Sequence, residues 1–178
     1  MDNLDFKYLF EISFEQFELF LNSLDEERKS WSLDLQTFKD NKELYDNTLD
    51  LPFVIVCMDK KLVVGLVSVT LVLNRSIQEN MNNEFRYFKD NNFKSGVIIS
   101  FVVKKEYQGK NIGTKLLMRM EDVLKKFESN GFPMEFEFIF AKHFKDNIGS
   151  HKAFLKAGYK EVSINGDNNF NWKVKELK

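Results

Sequence analysis

The chain has 178 residues, a formal net charge of −1, 43% hydrophobic residues and 30% charged residues. This length and composition are typical of one soluble globular domain, and the charge gives no reason to expect a nucleic-acid or membrane partner. A single cysteine, Cys57, excludes an internal disulfide framework. No long apolar run and no signal-like start is present, so the expected location is the cytoplasm.

The first elements are a short strand and a helix. Residues 5–10 can form the strand, and Ser13-Phe14-Glu15-Gln16 has the pattern of a capping box, which predicts a helix start. The helical spacing then places apolar side chains on one face, namely Phe17, Phe20, Leu21 and Leu24. A second helical stretch is predicted from about residue 33 to 47.

A hairpin follows. Phe53 to Met58 and Leu62 to Leu73 are rich in β-branched residues and flank the charged turn Asp59-Lys60-Lys61. Cys57 lies inside the first run, so we expect a buried structural thiol rather than a nucleophile. Residues 75–92 are polar with a few aromatic side chains and fit a helix or a long loop.

A glycine-containing loop comes next. The apolar run from Gly96 to Val103 predicts a strand, Gln108-Gly109-Lys110-Asn111-Ile112-Gly113 forms the loop, and a helix is predicted from about 111 to 127. Backbone N–H groups and the helix dipole at such a point attract phosphate. The spacing excludes a Walker A loop and the dinucleotide fingerprint. A phosphorylated ligand is therefore expected, although glycines in this pattern can also simply close a turn.

The last third predicts a strand, a helix and a closing hairpin. The strand is expected from Glu135 to Ala141, and Asp146 or Asn147 can cap a helix that runs to Ala157, with Gly158 after its end. The hairpin is predicted from two apolar runs on either side of a polar turn, Tyr159–Ile164 and Phe170–Leu177.

Two of these segments together resemble the GNAT acyltransferase superfamily. Residues 103–113 are similar to its loop V-x-P-x-Y-R/Q-G-x-G-x-G/A, and Asn147, Phe154 and Gly158-Tyr159 are similar to its later motif of Asn, Tyr and Gly-Phe. The resemblance implies one domain over residues 1–178. It also implies an α+β three-layer fold, in which helices flank a mixed, mostly antiparallel sheet with a bulge or splay at the cofactor strand.

The resemblance further implies an N-acetyltransferase. Acetyl-CoA would be the co-substrate, without a metal, and a primary amine of a small molecule or peptide would attack it directly in a ternary complex. Strand backbone groups would pair with pantetheine, the loop would hold the pyrophosphate, and homodimers are common among members. The implied cofactor-binding residues are Phe101, Val102, Val103, Gln108, Gly109, Lys110, Asn111, Ile112, Gly113, Thr114, Asn147 and Phe154.

The chain departs from the family pattern at two of these positions. Asn111 replaces a glycine, but asparagine is the residue that most readily adopts a positive φ after glycine, so we expect the loop to survive. Phe154 replaces a tyrosine that often protonates the departing thiolate in the family. A thiol with a pKa of about 8.5 leaves tolerably well, so this loss would slow the reaction.

The general base is predicted less directly. His143, at the end of the strand before Asn147, is the best-placed titratable residue, and Glu84, Glu135 and Glu137 are weaker candidates. Phe154 also motivates an alternative function, a catalytically weak or inactive GNAT-fold protein that binds acyl-CoA as a sensor or interaction module. A third interpretation is a plain α/β protein whose loop binds another phosphate or none.

Overall fold

The computed structural model describes residues 4–25, 54–72, 96–129, 138–162 and 169–177. The helix predicted at 33–47, the segment 75–92 and the candidate bases Glu84, Glu135 and Glu137 lie outside these ranges. The chain forms two compact units. The first unit comprises Met1–Ser68 with Ser100–Met120, and the second comprises Val69–Ile99 with Glu121–Lys178.

The described part of the first unit contains an antiparallel sheet and a short helix near its start. Strand β1 (Leu4–Tyr8) ends earlier than predicted, because Leu9–Glu11 turn into a 3-10 helix. Strands β2 (Val54–Asp59) and β3 (Leu62–Val72) form the predicted hairpin, and Lys60 takes a φ of +56° in its turn. Their order is β1-β2-β3, and Leu4 pairs with Asp59 and Val54 with Ser68.

Helix α1 (Phe14–Asn22) begins as its capping box predicts. The Ser13 hydroxyl accepts a hydrogen bond from the Gln16 N–H at 3.2 Å, and the Gln16 side chain accepts one from the Ser13 N–H at 2.9 Å. These bonds satisfy two N–H groups that have no partner within the helix. The predicted apolar face is buried in the core of this unit, which comprises Leu9, Ile12, Phe17, Phe20, Leu21, Leu24, Val54, Val56, Met58, Val63, Leu66 and Val102.

Strand β4 (Gly96–Val103) and helix α2 (Ile112–Ser129) each run through both units and have nearly the predicted bounds. The end of β4, the loop after it and the start of α2 belong to the first unit. A short 3-10 helix, Lys105–Tyr107, opens the loop.

In the described part of the second unit, strands pair both in parallel and antiparallel. Strand β4 pairs with β5 (Phe138–Phe144) in parallel from Gly96↔Phe138 to Ile98↔Phe140 and then continues to Val103. Antiparallel pairing joins β5 to β7 (Phe170–Glu176) and β7 to β6 (Lys160–Val162). The prediction of a mixed, mostly antiparallel sheet in an α+β fold is confirmed.

Two details of the second unit bear on the site. Strand β5 ends at Phe144 rather than at the predicted Ala141, because the alternation continues with Lys142 exposed and His143 buried. Helix α3 (Ile148–Lys156) has the predicted start at Asn147, and Gly158 follows it with a φ of +86°. Glycine suits that position because left-handed backbone carries no Cβ penalty there.

Candidate functional site

The loop between β4 and α2 is held by its own backbone. The Lys104 N–H donates to the Val64 carbonyl at 3.0 Å, and the Tyr107 N–H donates to the Lys104 carbonyl at 2.9 Å. Beyond this turn, Gly109 and Asn111 adopt φ values of +75° and +61°. The expectation that Asn111 supplies a positive φ in place of glycine is therefore confirmed.

Close backbone packing explains two glycines near this loop. A Cβ on Gly113 would lie 2.6 Å from Cε2 of Phe101, and one on Gly65 would lie 3.1 Å from Cδ1 of Leu116 and 3.2 Å from the Val102 carbonyl oxygen. Glycine thus lets α2 begin directly against β4. Gly109 differs, because no atom lies within 4 Å of its added Cβ, so its backbone conformation rather than space demands glycine.

Polar side chains fix the outer part of the loop. Nε2 of Gln108 donates to the Val103 carbonyl at 3.3 Å, and the Tyr107 hydroxyl donates to Asp59 at 2.9 Å. The ammonium of Lys110 lies 4.4 Å from the centre of the Tyr107 ring. The hydrogen bond to Asp59 raises the pKa of Tyr107, so this hydroxyl is a poorer acid than an ordinary tyrosine.

The loop leads into the first turn of α2. The first helical bond that closes onto it runs from the Lys115 N–H to the Asn111 carbonyl at 3.1 Å. N–H groups that precede such a bond have no acceptor within the helix, and the dipole adds partial positive charge. The predicted residues Gln108 to Thr114 thus lead into a helix start, a kind of place that attracts anions, although the Gln108 N–H already donates to the Lys105 carbonyl at 3.2 Å.

His143 is the titratable group most deeply placed on β5. It is only 4% exposed, and its Nδ1 lies 2.8 Å from the Phe144 carbonyl oxygen. A carbonyl only accepts, so Nδ1 carries the hydrogen and Nε2 of the neutral ring holds a lone pair. Nε2 is buried and meets no hydrogen-bond partner among the described residues.

The surroundings of His143 favour its neutral form. Burial is the main cause of its lowered pKa, and the positive charge of Lys173 lowers the pKa further. The hydrogen bond to the Phe144 carbonyl and the negative charge of Glu161 act in the opposite direction. Its ring stacks on Phe154 at 6.0 Å between centroids. The ring of His151 meets the His143 ring edge-on, at 5.5 Å between centroids. A neutral imidazole with a free lone pair can accept a proton.

The later motif is placed on α3 and just after it. The Oδ1 of Asn147 caps α3 by accepting from the Ser150 N–H at 3.0 Å, while the side-chain amide N–H groups are not used by this bond. Phe154 is 2% exposed and packs against Tyr159 at 5.2 Å. Burial, and then the charge of Glu121, raise the pKa of Tyr159 well above its usual value, so Tyr159 is a weak proton donor.

Cys57 has no catalytic environment. Its side chain is fully buried, and burial raises the pKa of its thiol to about 11. A thiol with that pKa is almost entirely protonated at neutral pH and is not a nucleophile. The sequence-based expectation of a structural thiol is confirmed.

The structure thus groups the predicted residues by unit. Phe101 to Val103 and Gln108 to Thr114 are contiguous in the first unit, and His143 contacts Phe154 in the second. Lys104, which the sequence did not predict as a site residue, is only 8% exposed. The available signal was alternation, since Lys104 continues the side of β4 that carries the core residue Val102.

The described ranges also bear on metal binding and membrane insertion. Within them, no group of three His, Cys, Asp or Glu side chains is arranged to hold a metal ion. No helix in the same ranges has both the length and the hydropathy needed to cross a membrane.

Comparison with known proteins gives the same architecture. Residues 9–159 match the family model described as the acetyltransferase (GNAT) family. A putative acetyltransferase, yncA, from Salmonella typhimurium, solved with acetyl-CoA, shares 14% identity at a TM-score of 0.61 and covers 98% of this chain and 94% of its own.

Two further solved structures are similar. The GNAT domain of PAT from S. lividans has 12% identity and a TM-score of 0.66, with 97% of this chain and 89% of that chain covered. The aminoglycoside acetyltransferase AAC(6')-Ib, solved with coenzyme A and kanamycin, has 13% identity, a TM-score of 0.57 and coverage of 98% and 95%. Among curated proteins, none matches the chain by sequence.

Proposed function

Because the chain belongs to the acetyltransferase (GNAT) family, we propose that it transfers the acetyl group of acetyl-CoA to a primary amine. The amine attacks the thioester carbonyl directly in a ternary complex, and no acyl-enzyme forms. The acceptor is a small molecule or a peptide. We also propose that residues 1–178 act as one domain, that the protein works in the cytoplasm without a metal, and that it forms a homodimer.

The loop geometry supports the cofactor assignment most directly. Gly109 and Asn111 hold positive φ values, and Gly113 lies against Phe101 where a Cβ would not fit. In the proposal, N–H groups from Gln108 to Thr114 bind the pyrophosphate. The backbone of Phe101 to Val103, which continues beyond the last residue paired with β5, binds pantetheine as an added strand would.

The second unit supplies the remaining assignments. Asn147 donates its side-chain amide to pantetheine while its oxygen caps α3, and Phe154 packs beside the departing sulfur. His143 accepts the proton of the amine through Nε2. An amine with a pKa of about 10.4 resists deprotonation at pH 7 by roughly 4–5 kcal/mol, which a base or a desolvated pocket must offset.

Release of CoA thiol in the presence of acetyl-CoA and a panel of primary amines tests the reaction. We expect thiol release that depends on the amine and a product whose mass is that of the acetylated amine. The Cys57→Ser variant should behave in the same way, because Cys57 is buried and takes no part. If the protein bound acetyl-CoA but released no thiol with any of the amines, the binding-only sensor would be favoured instead.

The proposed base has a matched control, since the chain contains 2 histidines. His143→Asn keeps a donor near the position of Nδ1 but has no atom at Nε2, and we expect its kcat to fall by about 10²- to 10⁴-fold. His151→Asn, which removes the neighbouring imidazole, should change kcat far less. Equal losses in the two variants would contradict the role of His143.

A further inference from the structure

Lys104 is a buried cation that the proposed reaction does not yet use. It follows the last residue of β4, and its backbone is fixed on both sides by the bonds to Val64 and Tyr107. The residue is only 8% exposed. Lysine is rarely buried to this extent unless its charge meets a partner.

Among the described residues, the ammonium of Lys104 lies over an aromatic ring. Its Nζ lies 5.9 Å from the centre of the Phe20 ring, and Phe20 is fully buried in α1. No carboxylate among the described residues lies within ion-pair distance of this ammonium. By contrast, the fully buried Lys173 and the partly buried Lys175 each reach a glutamate.

A ring face compensates a buried ammonium only in part. A cation over an aromatic ring gains less than a close ion pair with hydrogen bonds. Among the described residues this ammonium therefore meets no anion, and an anion supplied by a ligand would complete the arrangement.

Lys104 and the segment from Gln108 to Thr114 lie on opposite sides of β4. Successive side chains of a strand point to opposite faces. Phe101 lies against Gly113 of α2, whereas Val102 belongs to the core beneath α1, and Lys104 lies over Phe20 of that same helix. The ammonium of Lys104 thus faces α1, and the loop that begins α2 lies on the other side of the strand.

We propose that Lys104 binds a carboxylate of the acceptor, so that the acceptor is an amine that also carries an acidic group, such as an amino acid or a peptide. This inference rests on the proposed function, because Lys104 directly follows Val103, whose backbone is assigned to the cofactor. The same ammonium could also meet a phosphate of the cofactor, and the experiment separates these two anions.

The first arm compares amino acids with their carboxamides as acceptors in the thiol-release assay. Loss of a hydrogen bond to a charged group corresponds to about 10- to 100-fold in KM. We expect the carboxylate form to have the lower KM by this factor in the unchanged protein, and Lys104→Met to remove the preference while kcat changes little. Lys105→Met, which alters the exposed neighbouring lysine, should retain the preference.

The second arm measures the Kd of acetyl-CoA by calorimetry. Lys104→Met should leave this Kd within about twofold. A tenfold weaker Kd together with an unchanged preference between carboxylate and carboxamide would assign Lys104 to the cofactor and overturn the proposal. Equal use of both acceptor forms by the unchanged protein would overturn it as well.

A third arm does not depend on turnover. With CoA at saturation, N-acetylglycine should raise the melting temperature of the unchanged protein, N-acetylglycinamide should not, and Lys104→Met should respond to neither. Lys104→Arg keeps the charge and should retain the response if the methionine variant folds poorly. No response to N-acetylglycine would contradict the role of Lys104, whereas failure to bind acetyl-CoA at all would contradict the proposed function.

Discussion

At the scale of single residues, Asn111 connects an unusual backbone conformation to the proposed cofactor site. Its φ of +61° is one that residues with a branched Cβ adopt only under strain. The residue precedes Ile112, the first residue of α2, so its backbone sets the direction in which the N–H groups of that turn point. We therefore expect backbone strain at this position to affect anion binding more than it affects the rest of the molecule.

Substitution of Asn111 tests this connection. We expect Asn111→Val to weaken acetyl-CoA binding by about 1–2 kcal/mol, the range for an L-residue with a side chain in left-handed backbone. Asn111→Gly should bind acetyl-CoA as well as the unchanged protein does, because glycine adopts this φ freely. Calorimetry on both variants gives the comparison. An unaffected valine variant would show that this backbone conformation does not shape the binding site.

His143 gives a prediction about stability against pH. Its pKa in the folded protein is lowered from 6.5, so the unfolded chain binds the proton more tightly. Stability should therefore fall as the pH drops below about 6.5 and be independent of this group above that value. Melting temperatures from pH 7.5 to 5.5 measure the effect.

The two histidines serve as each other's control in that measurement. His143→Asn should remove most of the loss of stability on acidification over this range. His151→Asn should retain it, because His151 is more exposed and lies beside Glu161. If the loss of stability on acidification disappeared only in His151→Asn, the assignment of this effect to His143 would be contradicted.

At the scale of elements, α1 links local sequence signals to the proposed acceptor site. Its capping box fixes where it begins, its apolar face fills the core of the first unit, and Phe20 presents a ring to Lys104. The side chain of Gln16 also donates to the Lys61 carbonyl in the β2–β3 turn at 2.9 Å, which ties the helix to the hairpin.

Removal of the cap should destabilise this element measurably. Ser13→Ala leaves the Gln16 N–H without its side-chain acceptor and is expected to lower the free energy of unfolding by about 0.5–2 kcal/mol. Ser13→Asp keeps an acceptor and should lose much less. Urea titrations followed by circular dichroism measure both. A loss as large in the aspartate variant would show that another feature of Ser13 matters.

Local patterns explain which elements the sequence predicted well. The cap at Ser13, the turn around Lys60 and the glycine after α3 act over a few residues, and each was predicted at the position found. The loop from Gln108 to Gly113 was recognisable for the same reason. Its resemblance to a known family then supplied the fold.

Features that depend on distant parts of the chain were missed. The strand β5 extends past the predicted Ala141 because its pairing with β7, a strand distant in sequence, continues to Phe144↔Phe170. The burial of Lys104 depends on α1, which lies far away in sequence. Packing against α3 likewise leaves Nε2 of His143 buried without a hydrogen-bond partner among the described residues. The sequence predicted His143 as the candidate base but not this environment.

At the scale of the whole molecule, each unit carries a distinct part of the proposed chemistry. The first unit contains the anion-attracting loop and Lys104, and the second contains His143, Phe154 and the capped start of α3. The family model extends over residues 9–159 and so includes parts of both units. The central claim is that this chain binds acetyl-CoA through the loop between β4 and α2.

Melting temperature with and without saturating acetyl-CoA tests this claim most directly, on protein first shown to be free of co-purified CoA. Ligand at about 100 times its Kd adds about 2.7 kcal/mol, so we predict a rise of roughly 5 °C or more. Gly109→Val, which forces a side chain into a φ of +75°, should abolish the rise, and the control Gly149→Ala should retain it. No rise in the unchanged protein, or the same rise in the Gly109 variant, would contradict the account.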